Sequence, residues 1–493
     1  MAAQGKKHDA YDKRRESYRK PVTLFFSVGC ILSLIYLYFS GLSIIISASF
    51  AIAVLVVTGI VIATANGLSG SYGIYIIGGR KGIGIIERLS RQRHTYWEEL
   101  AVWGMILSFG IFSLFIFKKR IRMRSALFGF ASLLFVLLII LPNLFLALGT
   151  INIPGISLGT PTPSSLITAY PSTFFGYVLY VLGFIGGFSA FILVMLLYGS
   201  AKILYSVAIA LVSIVSRHPN LAPLYSQIPG VAPVIPGLTI PLLSGILSLA
   251  IILIFHEFSH GVLARRAGIK IKKIGLVLFG IIPIGAFVEP NEKKIKKLPK
   301  DLQDDISIAG ISANFVLMVI FFIFTAAFFV YIMPYFFRNA FIVANTVPGY
   351  PAYNVVPKGA IILKLNNISV TNITTLLNAD NKTPYSNVSL LTNKGYFSFK
   401  TNSSGMAGFE IAEKSISLRG GPIAGAVSFL YTFFALSFLL NFLVATVNLL
   451  AIPSLDGWRI YKNRISSNTL LKAISIFTIA LLVVQALPWI WTR

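Results

Sequence analysis

Charge is scarce in this chain, acidic residues are scarcer still, and cysteine is almost missing. Only 12% of its 493 residues are charged, against about 25% in an ordinary soluble domain. One cysteine, Cys30, is present, which excludes an intrachain disulfide framework. It lies inside an apolar run, where a lone thiol serves as packing. Five histidines and 16 acidic residues leave few groups able to bind a metal or move a proton. What is abundant is hydrocarbon. A hydrophobic content of 56% and a mean hydropathy of +0.80 exclude a water-soluble globular class.

Apolar runs long enough to cross a hydrocarbon core of about 30 Å lie at roughly 21–39, 43–65, 99–117, 125–148, 174–200, 239–258, 307–333, 423–452 and 470–491. The expected fold is a polytopic α-helical membrane protein of eight to ten spans. The start is a long charged segment, and the first apolar stretch has no small-residue cleavage site, so that stretch is expected to stay as an anchor. A formal net charge of +26 is compatible with nucleic-acid binding. The basic residues, however, flank apolar spans (Lys6 to Lys20, Lys118 to Arg124, Lys293 to Lys300), where loop charge bias and anionic headgroups account for them. A lipid bilayer is therefore the expected partner, and nucleic acid is not.

The stretch from Arg80 to Arg93 is basic with little apolar periodicity, and segments 149–173 and 219–236 read as loops from their Gly, Pro, Ser and Thr content. Residues 341–415 break the membrane pattern. They are rich in Asn, Thr and Ser with short alternating runs, which predicts a small β-rich insert. All five Asn-x-Ser/Thr triplets of the chain fall there, at Asn367, Asn372, Asn381, Asn387 and Asn402, and such acceptors have meaning on an extracytoplasmic surface. The basic residues Arg265 to Lys273 and Lys293 to Lys300 belong in the cytoplasm by the positive-inside rule. One span, 307–333, separates the two, so the signals agree. The first four spans do not: simple alternation from an inside amino terminus puts the basic Lys118 to Arg124 loop outside. One of those spans is miscounted or re-entrant, or the loop breaks the rule.

The run from Ile251 to His260 reads IILIFHEFSH. On a helix, positions i and i+4 project from one face, so His256 and His260 can chelate one metal while Glu257 reaches water bound there. Three ionisable residues within five positions of a span are costly and mark function rather than a polar helix end. Catalytic zinc usually takes three protein ligands, so a third is needed. His8, His94 and His218 lie in charged or loop segments. Of the acidic residues in apolar surroundings, Glu289 in GAFVEP and Asp456 in NLLAIPSLDGW remain. Asp456 is the better candidate, because it ends a span that returns to the same face as the HEFSH run.

Together HEFSHG (His256 to Gly261), GAFVEP (Gly285 to Pro290) and NLLAIPSLDG (Asn448 to Gly457) resemble the signature of the site-2 protease family of intramembrane zinc metalloproteases. The PGVAPVIPG stretch, Pro229 to Gly237, resembles its archaeal members. The resemblance covers about residues 225–460 and implies one zinc ion held by His256, His260 and Asp456, with Glu257 as general base. It also implies supporting or substrate-holding roles for Asn448, for Asn314 in AGISANF, and for Gly285 and Phe287 in a strand beside the active site. Ala451 and Ile311 stand where many members carry Pro. The insert resembles the PDZ domains of many members, with Gly359-Ala360 in place of the usual Gly-Asp.

The expected organisation is a basic cytoplasmic amino terminus (1–20), an amino-terminal transmembrane region (21–225), a protease core (226–340), the PDZ-like insert (341–415), and a carboxy-terminal core segment (416–493). The implied activity is hydrolysis of peptide bonds in or next to transmembrane segments of membrane-protein substrates, in regulated intramembrane proteolysis at the plasma membrane. A metal transporter also places His and acidic residues in spans, but needs no Glu between histidines at i and i+4. A catalytically inactive scaffold needs none of His256, Glu257, His260 and Asp456.

Overall fold

A computed structural model describes residues 2–40, 44–80, 82–92, 95–144, 174–237, 239–371, 374–376, 383–418 and 421–491. The loop expected at 149–173, His94, and the acceptors Asn372 and Asn381 lie outside these residues. The chain divides into two compact units, one of them running from Phe324 to Tyr431.

The larger unit is a polytopic helical bundle. Among the described residues, nine helical segments are long and apolar enough to cross a membrane, and they coincide with the apolar runs of the sequence. Its helices are α1 (Ala2–Phe39), α2 (Ile44–Asn66), α3 (Ile83–Arg91), α4 (Thr95–Phe109), α5 (Met123–Phe135), α6 (Phe174–Val215), α7 (Leu242–Arg266), α8 (Lys300–Ala327), α9 (Pro422–Val447), α10 (Asp456–Arg464) and α11 (Asn468–Ala486).

Two of the nine segments do not run straight through. In α6 the backbone leaves helical geometry at Gly187 (φ 64°, ψ −162°). The rings of Phe175 and Tyr198 on either side stack at 3.9 Å, whereas a straight helix would hold these positions ~35 Å apart. The segment is therefore a helical hairpin with Gly187 at its tip. The α4 segment behaves similarly. Near its start Glu98 pairs with Arg266 at the end of α7 (3.2 Å), and past a turn at Gly110 (φ 53°) Arg120 pairs with Asp305 at the beginning of α8. The chain joining the end of α7 to the beginning of α8 contains no membrane-spanning helix, so both ends of the α4 segment lie on one face. The basic Lys118 to Arg124 loop then shares that face with Lys293 to Lys300, and the miscounted span of the sequence reading is this one.

The two tips touch. A Cβ on Gly187 would fall 2.4 Å from the Phe109 nitrogen, and one on Gly110 would fall 2.6 Å from the Gly187 nitrogen. At Gly187 the dihedrals also belong to a region essentially reserved for glycine, costing about 1–3 kcal/mol for other residues. Gly187→Ala is expected to destabilise the protein by at least about 3 kcal/mol, strain and clash together. Thermal unfolding in detergent checks this, and a parent-like Tm would show that the tip accepts a side chain.

Strands β1 (Gly70–Ser71), β2 (Ile74–Gly79), β3 (Ile271–Phe279) and β4 (Ile282–Pro290) form an antiparallel sheet in that order. GIIPIGAFV thus lies in a hairpin, as a stretch with Pro and two Gly is better suited to a strand than to a span. Sequence periodicity did not reveal β2, nor α3, which occupies the basic stretch read as patternless. In α3 the side chain of Ile86 is fully buried while Arg88 and Arg91 fall in the last turn. The α3 pattern is too short to register against the surrounding charge.

The second unit is β-rich. Strands β5 (Phe337–Thr346) and β10 (Phe409–Ser417) form an antiparallel ladder, with Phe337 opposite Ser417. Strands β6 (Ile362–Leu365), β7 (Ile368–Ser369), β8 (Asn387–Thr392) and β9 (Gly395–Lys400) form a sheet ordered β7-β6-β8-β9. Phe341, Val343, Ala360, Ile362, Val388 and Leu390 share its core, which is why alternating residues of these strands are apolar. β5 begins at Phe337, before the boundary of 341 expected for the insert.

Candidate active site

α7 carries the HEFSH run in its second half, where the helix is still within the bundle, and His256 is 7% exposed. One helical turn separates His256 from His260, so their rings face each other with Nε2 atoms 3.3 Å apart. Asp456 reaches the same point from the first residue of α10. Its Oδ2 lies 3.0 Å from His256 Nε2 and 3.1 Å from His260 Nε2. The chain brings it there through a tight turn after α9. Ser454 takes φ 89°, and the Gly457 amide donates to the Asn448 carbonyl at 2.7 Å, an approach with no room for a side chain on Gly457.

These three donors fit a divalent cation. A tetrahedral ion with ligand bonds of about 2.0–2.1 Å has donor-to-donor edges of roughly 3.3 Å, close to the three separations found. Burial pushes the Asp456 carboxyl pKa up, but the charge of His260 and hydrogen bonds from both imidazoles outweigh it. With the imidazoles donating to it, the carboxyl is held well below its usual range.

The other nitrogen of each ring is fixed by α8. Nδ1–H of His260 donates to the Ile306 carbonyl at 2.6 Å, and His256 Nδ1 lies 2.9 Å from the Asn314 side-chain amide. A neutral imidazole has one proton, and keeping it on Nδ1 leaves the Nε2 lone pair for a metal. Asn314 Oδ1 is buried without a partner among the described residues. Turning the amide by 180° lets that oxygen accept from His256 Nδ1–H with no other change. Asn314→Ala is expected to weaken metal binding by about 10- to 100-fold. Competition with a chromogenic chelator measures it, and an unchanged affinity would remove Asn314 from the site.

Midway between Ile306 and Asn314, α8 presents Gly310. A Cβ there would lie 2.5 Å from both Nε2 atoms, in the space a bound ion needs. The sequence reading passed over Gly310 and the Ile306 carbonyl. The i, i+4, i+8 spacing of 306, 310 and 314 is a usable signal, but only once that helix face is known to oppose the histidines.

Other candidates fall elsewhere. Glu289, the alternative third ligand, is 44% exposed and pairs with Lys272 at 3.0 Å. The Asn448 side chain donates to Val444 of its own helix at 3.0 Å, and its backbone carbonyl receives Gly457. Phe287 covers Gly78 and Gly275 on the neighbouring strands, its ring filling the space their missing side chains leave. Gly285 pairs with Val277. Both belong to β4, which runs beside α7: Gly261, next to His260, packs against Val288. Glu257 is half-buried on α7.

Residues 244–485 match the model of peptidase family M50. That family is the one of the site-2 proteases, and the match spans just under half of the chain. The chain is also 27% identical over 229 residues to an uncharacterized protein of Methanocaldococcus jannaschii, a match covering 46% of this chain and 58% of that relative. The matched residues take in α7 from Ser244, the β3–β4 hairpin, α8, the β-rich unit, α9, α10 and α11 up to Gln485. Peptidases of this family are zinc metalloproteases. The donor set assembled by α7 and α10 is of the chemistry that such a peptidase requires.

Proposed function

We propose that this chain is an intramembrane zinc metalloprotease that hydrolyses peptide bonds in or next to transmembrane segments of membrane-protein substrates. The observation that carries the reading is the convergence of His256 Nε2, His260 Nε2 and Asp456 Oδ2 at 3.0–3.3 Å inside an apolar bundle. Zinc bound there supplies a Lewis acid that acidifies water and polarises a carbonyl. Glu257 accepts the proton of the attacking water and delivers it to the leaving nitrogen. A helical substrate hides its own amides, so it must become extended to be cut. β4 is the terminal strand of its sheet among the described residues and runs beside α7, so its outer edge suits pairing with such a segment.

A metal transporter is disfavoured by Glu257, which has no role in carrying the ion, and an inactive scaffold by the complete donor set. The basic loops flanking α4, α7 and α8 support a cytoplasmic placement of their shared face, which would put the second unit outside the cytoplasm. That unit is proposed to be a PDZ-like regulator, and the setting to be regulated intramembrane proteolysis at the plasma membrane.

Purified protein in liposomes, given a tagged single-span substrate, is expected to cleave it, to stop on addition of a chelator, and to resume when zinc is restored. Cleavage that persists after complete metal removal would refute the reading. Zinc flux into the liposomes without cleavage would favour the transporter.

A further inference from the structure

We propose that Arg464, through Asp304, holds Asp456 in register with the two imidazoles. The inference rests on the metal-binding reading above and names a positioning residue for it.

α10 is nine residues long, with Asp456 at one end and Arg464 at the other, ~12 Å away. At the far end Arg464 Nε donates to Asp304 Oδ2 at 2.7 Å, its Nη2 donates to Asp301 Oδ1 at 2.7 Å, and Asn463 Nδ2 donates to Asp304 Oδ1 at 2.9 Å. The Asp304 side chain is fully buried, and both its oxygens are satisfied from α10. Two residues along α8, the Ile306 carbonyl holds His260. A single turn of α8 therefore grips the helix of the third ligand and one of the histidines.

An exposed ion pair would matter little. A buried carboxylate left without its cation is different, because the uncompensated charge drives rearrangement. The near end of α10 is set by a constrained turn, tied by the Gly457 amide to the Asn448 carbonyl at 2.7 Å. It is reached through Ser454 in a left-handed conformation that residues other than glycine adopt only under constraint. Further ties along α10 are Tyr461 O–H donating to the Leu449 carbonyl at 3.0 Å and the Arg464 guanidinium over the Phe117 ring at 5.1 Å. Releasing Arg464 lets the turn relax and Asp456 drift from the imidazoles.

The test titrates the metal-free full-length protein with cobalt(II) and reads affinity and visible spectrum. Arg464→Gln is expected to raise the cobalt Kd about 10- to 100-fold and to shift the spectrum toward that of Asp456→Ala. Asn463→Ala leaves the ion pair in place and is expected to raise Kd by a smaller factor, about three- to tenfold. In the Asp456→Ala background, Arg464→Gln should change Kd by less than about twofold, since the ligand it positions is gone. Arg266→Gln breaks the pair of α7 with Glu98, a half-exposed carboxylate, without touching α8 or α10, and its spectrum should remain that of the parent. Parent-like affinity and spectrum in both Arg464→Gln and Asn463→Ala overturn the proposal. So does an equal loss in the Asp456→Ala background or in Arg266→Gln. If Asp456→Ala binds cobalt as the parent does, the ligand reading itself fails, and the proposal falls with it.

Discussion

Glu257→Gln should bind metal at the parent stoichiometry and lose cleavage by about 10³-fold or more. The substitution keeps the shape of the side chain and removes its ability to take a proton, while His256, His260 and Asp456 are untouched. Glu257 adjoins His256 on α7 and is half-buried. A transporter or scaffold would be indifferent to this change. The measurement is a single-turnover assay on the tagged substrate with metal content determined on the same sample. A variant that is metal-loaded and cuts at the parent rate would remove Glu257 from the mechanism.

Gly310→Ala should abolish stoichiometric metal binding, with an affinity loss of more than about 100-fold. The added Cβ would stand 2.5 Å from each Nε2 and 2.6 Å from His256 Cε1, well inside ordinary contact of about 3.5 Å. Neither ring can simply swing aside, because Ile306 and Asn314 hold the opposite nitrogens. The methyl group takes the place of the ion and also presses on two held rings. The metal-free variant should therefore also unfold at a lower temperature than the metal-free parent. Metal content after dialysis decides the matter: one equivalent retained by Gly310→Ala would show that the pocket lies elsewhere.

The difference between Glu257 and Gly310 marks how far the sequence could be read. His256, Glu257 and His260 declare themselves because three ionisable groups in a span are too costly to be accidental, and Asp456 follows because so few acidic residues remain. Gly310 is silent in sequence, since a glycine in an apolar helix is commonplace in membrane proteins. Its meaning depends on which face of α8 meets α7. Arg464 and Asp304 are silent for a related reason: each reads as an ordinary charge at a helix end until the other is found beside it.

The bundle follows the same logic. Length and hydropathy located every long apolar helix among the described residues, because crossing a bilayer constrains composition over about 20 residues. They did not show that α6 folds back at Gly187 or that α4 returns to its starting face, since one glycine leaves hydropathy unchanged. The conflict over the Lys118 to Arg124 loop was the trace these turns left in the sequence. Likewise β2 joins the sheet by pairing with β3, nearly 200 residues away, a relation that no local pattern records.

The meeting of Gly110 and Gly187 also constrains biogenesis. Each tip interrupts a helix, and backbone groups left over at such a break cannot be satisfied by lipid. A nascent chain that has emerged only as far as Val136 therefore carries a half-made hairpin with nothing to shelter its bend. The shelter arrives only when α6 is synthesised, so the α4 turn is expected to settle in the bilayer only after α6 has followed it.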